Sequence, residues 1–541
     1  MAKHSSSTSA RGPSVPHESQ GQRELVILMS PDAAPITQPG GLEGMSSVTE
    51  PSLAEVLGRE GVTIHPLFSP PPFTPPLSTS GLSSSGLESI ALNLAPAAEL
   101  RRFYHVEAPD DKLEALAEKL RTSPSVAAAY VKPPAEPAVA SPLAGTAELN
   151  TMQPQPASPP VQSPDFTTRQ GYLDVAPGGI DARFAWTLPG GRGRGVNIID
   201  CEWNWRTTHE DLQQNKGGVA VGAASGDQNH GTAVLGEFGG DVNGFGVTGI
   251  CPEAFVRMAS FAGLPTARVI QQAADLLRPG DILLLEIHRA GPDASGVGQD
   301  CYIAVEWWPD DLAAIRYAVR RGVIVVEAGG NGARSLDNNV FNTPQTGFPP
   351  TWSNPFNPAN PGSGAVVVGA GAPPQGTHGN DHGPDRSRLD FSNYGSRVDV
   401  QGWGREVTST GYGDLQGGPA TDKWYTDQFS GTSSASPIVV GALGCVQGCL
   451  RAAGLTLLTP DDTRRLLRET GSPQQDAPGR LRTQRIGNRP NLRAILTRLL
   501  NLPAPDLVQQ DGGIARGQVQ AGTVVINIRG CGGITVNIEQ K

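Results

Sequence analysis

Four side chains of the kinds that acyl transfer requires stand at the ends of apolar runs in this chain. Asp200 closes "GVNIID", His230 opens "NHGTAVLGEFGG", Asn331 follows "VIVVEAGG", and Ser433 lies within "FSGTSSASPIVVGAL". A serine hydroxyl becomes a nucleophile when a base takes its proton, and the base needs an acid to fix its tautomer and stabilise its cation. The oxyanion that forms needs preorganised donors, which the Asn331 amide and the Ser433 N–H can supply. Each residue also has a plain structural alternative: Asp200 as a strand-end cap, His230 as a satisfied turn histidine, Asn331 as a left-handed turn former beside glycines. Spacing alone does not bring the four together, but their joint occurrence at strand ends favours chemistry over four separate coincidences.

Within the serine-rich stretch, Ser430, Ser433, Ser434 and Ser436 compete for the nucleophile's role. Pro437 lacks an N–H, which a helix tolerates in its first turn, so a helix is predicted to begin just before it and run to Gly454. Ser434 and Ser436 then fall at the helix start, where serine caps free N–H groups. Ser433 sits at the junction after Gly431, beside the free amides and the positive end of the helix dipole, where an oxyanion is stabilised. Taken alone, the stretch reads as a capped helix; the acid, base and amide elsewhere in the chain turn the choice toward Ser433.

The elements that must hold these residues are legible from residue 170 onward, where apolar strands alternate with helical patterns in "RGVNIID", "TARVIQQAADLLRPGDILLLEIH", "DDLAAIRYAVRRGVIVVEAGG" and "SGAVVVGAGA". Near-continuous apolar strands joined by helices predict an α/β fold with a parallel sheet covered by helices on both faces, and sites in such sheets collect where strands meet their following loops. Residues 1–22 are polar and rich in Ser, Gly and Pro, the composition of disorder. Residues 23–135 hold two strand-helix-strand patterns, one with a capping box at Ser52 and Glu55 and one with Leu113, Leu116, Ala117 and Leu120 at helical spacing, which predicts a small α+β domain. Residues 136–169 form a Pro/Ala/Ser-rich linker open to proteolysis, 170–501 the large domain, and 502–541 a tail whose "TVVINIRGCGGITVNIEQK" alternates as a β-hairpin.

Composition narrows the classes. In 541 residues, Gly 67 and Pro 48 together make about a fifth of the chain, against an ordinary 38% hydrophobic content, so long loops surround a normal core. A net charge of −10 argues against nucleic acid as a partner. Cys201, Cys251, Cys301, Cys445, Cys449 and Cys531 are too scattered for a disulfide scaffold and are expected as buried small residues. The N-terminus shows no apolar run of signal-peptide length, and no segment reaches the roughly 18 apolar residues of a membrane span; the expectation is a cytoplasmic protein or one exported by a non-Sec route.

"VNIIDCEWNWRTTHEDL", "NHGTAVLGEFGGDVNGFGVTGICP", "VIVVEAGGNG" and "FSGTSSASPIVVGAL" resemble the aspartate, histidine, oxyanion-asparagine and serine blocks of the subtilisin-like serine peptidases, and "RLDFSNYGSRVDVQGWGREVTSTG" resembles the segment before the nucleophile. The resemblance spans about residues 170–500. It implies Asp200 as orienting acid, His230 as general base, Ser433 as nucleophile and Asn331 as oxyanion donor, in a serine endopeptidase acting on polypeptides. It further implies that residues 23–135 are a propeptide-like domain that assists folding and inhibits the enzyme until it is cleaved. No cofactor is implied for the chemistry; "DVNGFGV" resembles a structural calcium loop, with Asp211 and Asn243 as candidate ligands. His378, Asp381 and His382 in "THGNDHG" offer metal-ligand chemistry in what reads as a flexible loop.

The sequence also departs from the family. Cys201 and Glu202 replace the small residue and glycine usual after the aspartate, and "LLLEIHRAGP" replaces the usual edge strand, placing Glu286 and His288, with Gly329, as expected substrate-binding residues. An unpaired Glu286 carboxylate predicts a preference for Arg or Lys near the cut; pairing with Arg289 would make it structural. The alternative from another class is a non-enzymatic protein that keeps the fold and grips peptides along its sheet edge.

Overall fold

The computed structural model describes residues 21–33, 53–69, 99–140 and 162–502, and the backbone of 524–527 and 537–540. The expected disorder of residues 1–20, the middle of the expected linker at 141–161, and Cys531 lie outside the described residues. Among the described residues, those up to Ile495 form one compact unit and those from Leu496 onward a second.

The first unit begins with a small antiparallel sheet. β1 (Glu24–Met29), β2 (Thr63–Pro66), β3 (Phe103–Glu107) and β4 (Val126–Lys132) pair in the order β2-β3-β1-β4, and helices Leu53–Glu60 and Leu113–Leu120 cover it. Leu113, Leu116, Ala117 and Leu120 are buried on one face of the second helix, as their spacing predicts, and pack on Leu25, Ile27 and Val131. A short strand, β5 (Ala135–Pro137), leaves this sheet and joins another.

The large sheet is parallel throughout. It is built from β6 (Asn197–Glu202), β7 (Lys216–Val221), β8 (Phe255–Ser260), β9 (Ile282–Leu285), β12 (Ile324–Ala328), β13 (Val366–Gly371) and β14 (Val400–Trp403), in the order β14-β13-β12-β9-β6-β8-β7. Alternate residues face opposite layers. Ile199, Cys201, Leu283, Leu285, Val325 and Val367 share a core with helices Thr266–Asp275 and Pro309–Arg320. Ile198 meets Gly444 of the helix Thr432–Ala452, which packs with the helix Asn229–Gly239. Asp200 and Glu202 share the parity of Ile198, so strand geometry turns both toward the helices that carry His230 and Ser433.

A second antiparallel sheet stands beside the parallel one. β10 (Ile287–Ala290) pairs on one side with β11 (Tyr302–Ala304) and on the other with β5, in register His288 to Glu136 and Ile287 to Pro137. β15 (Val407–Thr410) and β16 (Tyr425–Phe429) pair antiparallel ahead of the serine. In the second unit, β17 (Val524–Asn527) and β18 (Asn537–Gln540) pair antiparallel as the alternating tail predicts.

Two local expectations change. The helix behind the serine begins at Thr432, five residues before Pro437, and ends at Ala452. Pro437 is held inside it because the only intrahelical bond it forgoes is to the Ser433 carbonyl. Ser434 and Ser436 therefore donate to carbonyls, of Trp403 (3.0 Å) and Thr432 (2.6 Å), in place of capping N–H groups. This same helix is long and apolar enough to cross a membrane by length and composition, contrary to expectation, yet it is wholly buried as the core helix of the fold. Cys201, Cys251, Cys301, Cys445 and Cys449 are buried and unbridged.

Candidate active site

His230 lies in the first turn of the helix Asn229–Gly239, and Ser433 in the first turn of Thr432–Ala452; both are buried. His230 Nδ1 stands 2.5 Å from Glu202 Oε1, not on Asp200. Phe429 sets its edge against the imidazole at 5.5 Å and fixes the ring plane. The Asp200 carboxylate is engaged elsewhere: its Oδ2 accepts from the Trp205 indole N–H at 2.7 Å. Trp205 fits there because residue 231 is glycine; a Cβ at that position would lie 2.7 Å from the indole ring. Sequence reasoning named Asp200 as the histidine's partner and listed Glu202 only as a departure. The signal was present, since residues i and i+2 of a strand share a face.

Burial dominates the electrostatics. It pushes His230 down to about 4, against the pull of Asp200 and Asp227, so the imidazole is neutral and able to accept a proton across the neutral range. Burial, reinforced by Asp227, holds Glu202 well above the usual carboxylate range. Asp200 is raised likewise by burial and by Glu202. The short Glu202–His230 contact sets a carboxyl oxygen against Nδ1, so that with the carboxyl ionised the imidazole proton lies on Nδ1 and Nε2 is left as the acceptor. His230 Nε2 and Ser433 Oγ are both buried and make no hydrogen bond to each other, and the Ser433 hydroxyl lies toward the Glu286 carboxyl.

Asn331 follows β12 and is anchored on both sides. Its N–H donates to His288 Nδ1 (3.2 Å), and its Oδ1 accepts from the N–H and hydroxyl of Thr432, each at 3.0 Å. Its Nδ2 donates to Gln299 Oε1 at 3.1 Å, and Gln299 Nε2 donates in turn to the Pro137 carbonyl at 3.2 Å. Gln299, from the loop between β10 and β11, is a site residue the sequence did not single out.

The groove between these elements is filled by the chain itself. Beyond β5, the Ala138 carbonyl accepts from the Ser433 N–H at 3.2 Å and the Ala140 carbonyl from the Ser430 hydroxyl at 3.1 Å. Tyr302 donates to the Glu136 carboxylate at 3.0 Å. Gly431 makes the passage possible: it has φ +112, and a Cβ there would stand 2.2 Å from the Ala138 carbonyl oxygen.

The residues expected to read substrate side chains have other duties. Glu286 is fully buried and its neighbours are acidic; burial, Glu202 and Asp200 raise it well above the carboxylate range, while the Ser433 hydroxyl opposes them. Arg289, the alternative partner, binds Glu24 (2.7 Å) and Asp311 (3.5 Å). His288 faces Tyr302 edge-on and holds Asn331, and burial lowers it to about 3. Gly329 is spent on Val368 and Asn393, each at 2.8 Å.

Asp211 and Asn243 do meet, but through each other: Asn243 Nδ2 donates to Asp211 Oδ1 (2.7 Å) and the Val247 N–H to Oδ2 (2.6 Å). With both oxygens on N–H donors and the carboxyl pushed up to about 8 by burial, the pair as placed does not fit a calcium ion. Among the described residues no group of three or more His, Cys, Asp or Glu could hold a metal. His378 and His382 instead flank Glu406, at 3.6 and 2.8 Å, and Asp381 accepts from the Gly383 N–H at 2.8 Å.

A parallel α/β sheet that delivers a buried carboxyl–imidazole pair and a helix-start serine to one groove defines a protein of the serine-hydrolase type. Residues 191–488, more than half of the chain, match the model of the subtilase family, and the chain belongs to that family, the subtilisin-like serine peptidases. An extracellular protease of Xanthomonas campestris pv. campestris is 27% identical over 303 residues, which span 53% of this chain and 42% of that protein. An intracellular serine protease of Paenibacillus polymyxa is 25% identical, over 56% of this chain and 82% of that protein. Among solved structures, a protease of Pseudoalteromonas arctica is 20% identical with a TM-score of 0.42, covering 63% of this chain and 99% of that one. The patellamide maturation protease PatA is 21% identical with a TM-score of 0.41, covering 57% and 98%.

Proposed function

We propose that the protein is a serine endopeptidase, made as a zymogen, whose first substrate is its own Ala138–Val139 bond. The observation that carries this is the Ala138 carbonyl on the Ser433 N–H, which seats that peptide group against the nucleophile and polarises it. Ser433 Oγ attacks the Ala138 carbonyl carbon while His230 Nε2, free of other partners, takes the hydroxyl proton. The C–N bond breaks as that proton passes to the Val139 nitrogen, and water then releases the acyl group by the same route reversed. Asn331 supplies the second oxyanion donor once its amide leaves Gln299. Until the cut, β5 and the residues after it exclude other polypeptides from β10.

Purified wild-type chain is expected to convert to two pieces, with Val139 as the new N-terminus by sequencing and, on dilution that lets the N-terminal piece leave, the active-site serine labelled by a fluorophosphonate. Ser433→Ala and His230→Ala should stay full length while folded. A wild-type chain that remains intact and unlabelled would identify a peptide-binding protein that keeps the fold, and a folded Ser433→Ala chain that still cuts itself would remove the serine from the chemistry.

A further inference from the structure

Resting on the peptidase reading above, we propose that Glu202, two residues beyond the family's aspartate position, is the positioning residue that orients His230 for catalysis. The evidence is the division of labour between two carboxylates on one face of β6. Glu202 reaches His230 Nδ1 at 2.5 Å, whereas Asp200 gives one oxygen to the Trp205 indole at 2.7 Å. Two features make this stable. One step further along the strand and one methylene longer, Glu202 extends past the end of the sheet to the helix that carries the histidine. Trp205, wedged against Gly231 at the start of that helix, occupies the space through which Asp200 would approach the ring. The two carboxylates are thus held apart: Glu202 meets the ring, while the Trp205 indole takes Oδ2 of Asp200 and leaves its Oδ1 without a partner among the described residues.

The role required of Glu202 is to hold one imidazole tautomer, with the proton on Nδ1 and the lone pair of Nε2 toward Ser433, and to stabilise the cation formed as the hydroxyl proton arrives. In its ionised form, its oxygen at Nδ1 does both. Asp200 acts on the imidazole only through space, as does Asp227 on both partners; Glu202 in turn acts on Glu286, and His288 adds a neutral ring beside them.

The test compares Glu202→Gln, Glu202→Asp and Asp200→Asn in the full chain. Readouts are self-cleavage, kcat and KM on a peptide substrate, and the low-field NMR proton of His230 Nδ1. Glu202→Gln is expected to lower kcat by about 10³- to 10⁴-fold with KM little changed, as when a histidine is left in the wrong tautomer, while Asp200→Asn loses about tenfold or less. Glu202→Asp should recover part of the loss, which a merely structural role would not grant. The low-field resonance should persist in Asp200→Asn and vanish in Glu202→Gln. An Asp200→Asn variant that loses as much kcat as Glu202→Gln, or that loses the resonance while Glu202→Gln keeps it, overturns the assignment. If the wild type neither cleaves itself nor labels, the peptidase reading falls instead, and the resonance alone still decides which carboxylate holds His230.

Discussion

Replacing Lys132 by Met should undo the docking of the N-terminal sheet, because Lys132 is a cation with no route to water. It sits at the end of β4 with its ammonium 2.6 Å from Asp310, 3.0 Å from Asp311 and 3.2 Å from Glu24, and its side chain is fully buried. Arg289 is the second cation, 2.7 Å from Glu24 and 3.5 Å from Asp311. Three carboxyl groups thus face two cations, and the imbalance shows in Asp310, which burial lifts to about 6. Met keeps most of the stem's volume and removes the charge, leaving three acids on one guanidinium. Breaking a buried network from one side costs ~3–5 kcal/mol, because the abandoned charges cannot be rehydrated. The assay is urea unfolding of the Ser433→Ala chain with and without Lys132→Met, so that cleavage does not intrude. The control is Lys119→Ala, whose ion pair with Glu60 (2.6 Å) is half exposed and should cost about 0–1 kcal/mol. A carboxyl raised in the fold contributes stability at low pH and loses it as the pH rises through its window, here from 3.8 to about 6. The Lys132→Met deficit should therefore shrink as the pH falls below about 6. A Lys132→Met deficit no larger than that of Lys119→Ala would refute the view that this network fastens the two parts.

Two further outcomes are expected. Gly431→Ala places a methyl 2.2 Å from the Ala138 carbonyl oxygen at a φ of +112, so self-cleavage should slow by roughly ten- to a hundredfold with the fold retained by circular dichroism; an unchanged rate would mean that the segment is cut in another pose. His209, buried against the Trp424 carbonyl, is held down at about 4 from its ordinary 6.5, so the unfolded chain binds the extra proton and this group's contribution to stability falls as the pH drops through that window. Stability of wild type relative to His209→Gln, from urea midpoints, should decline between pH 7 and 4.5, and a constant difference would contradict the assignment.

The parallel sheet was legible because its strands are buried on both faces and so read as unbroken apolar runs, as in "DILLLEIH" and "VIVVEAGG". His230, Asn331 and Ser433 stood out as candidates because His230 and Ser433 each precede, and Asn331 follows, an apolar run beside glycines that allow close approach. What escaped were contacts made in three dimensions between distant segments. Glu202 on His230 depends on where Trp205 rests, and Trp205 rests on Gly231, 26 residues further along the chain. The helix start was misread because proline was granted only the first turn, whereas this helix gives up one hydrogen bond and continues. Glu286 was read either as an unpaired charge or as a partner of Arg289; packing gives Arg289 to Glu24 and Asp311 and sets Glu286 near Glu202 and Asp200.

The placement of β5 makes the proposed cut a change in molecularity. While Pro137 and Ser433 belong to one chain, the strand on β10 returns to its groove at an effective concentration fixed by the fold, and occupancy is the same in a dilute or a crowded solution. Severing Ala138 from Val139 removes none of the contacts of Lys132 or Arg289, so the N-terminal piece stays docked, but its rebinding now depends on how much of it is present. Cleaved enzyme at high concentration would be silent and the same enzyme on dilution would wake, with a lag set by the escape of one buried lysine.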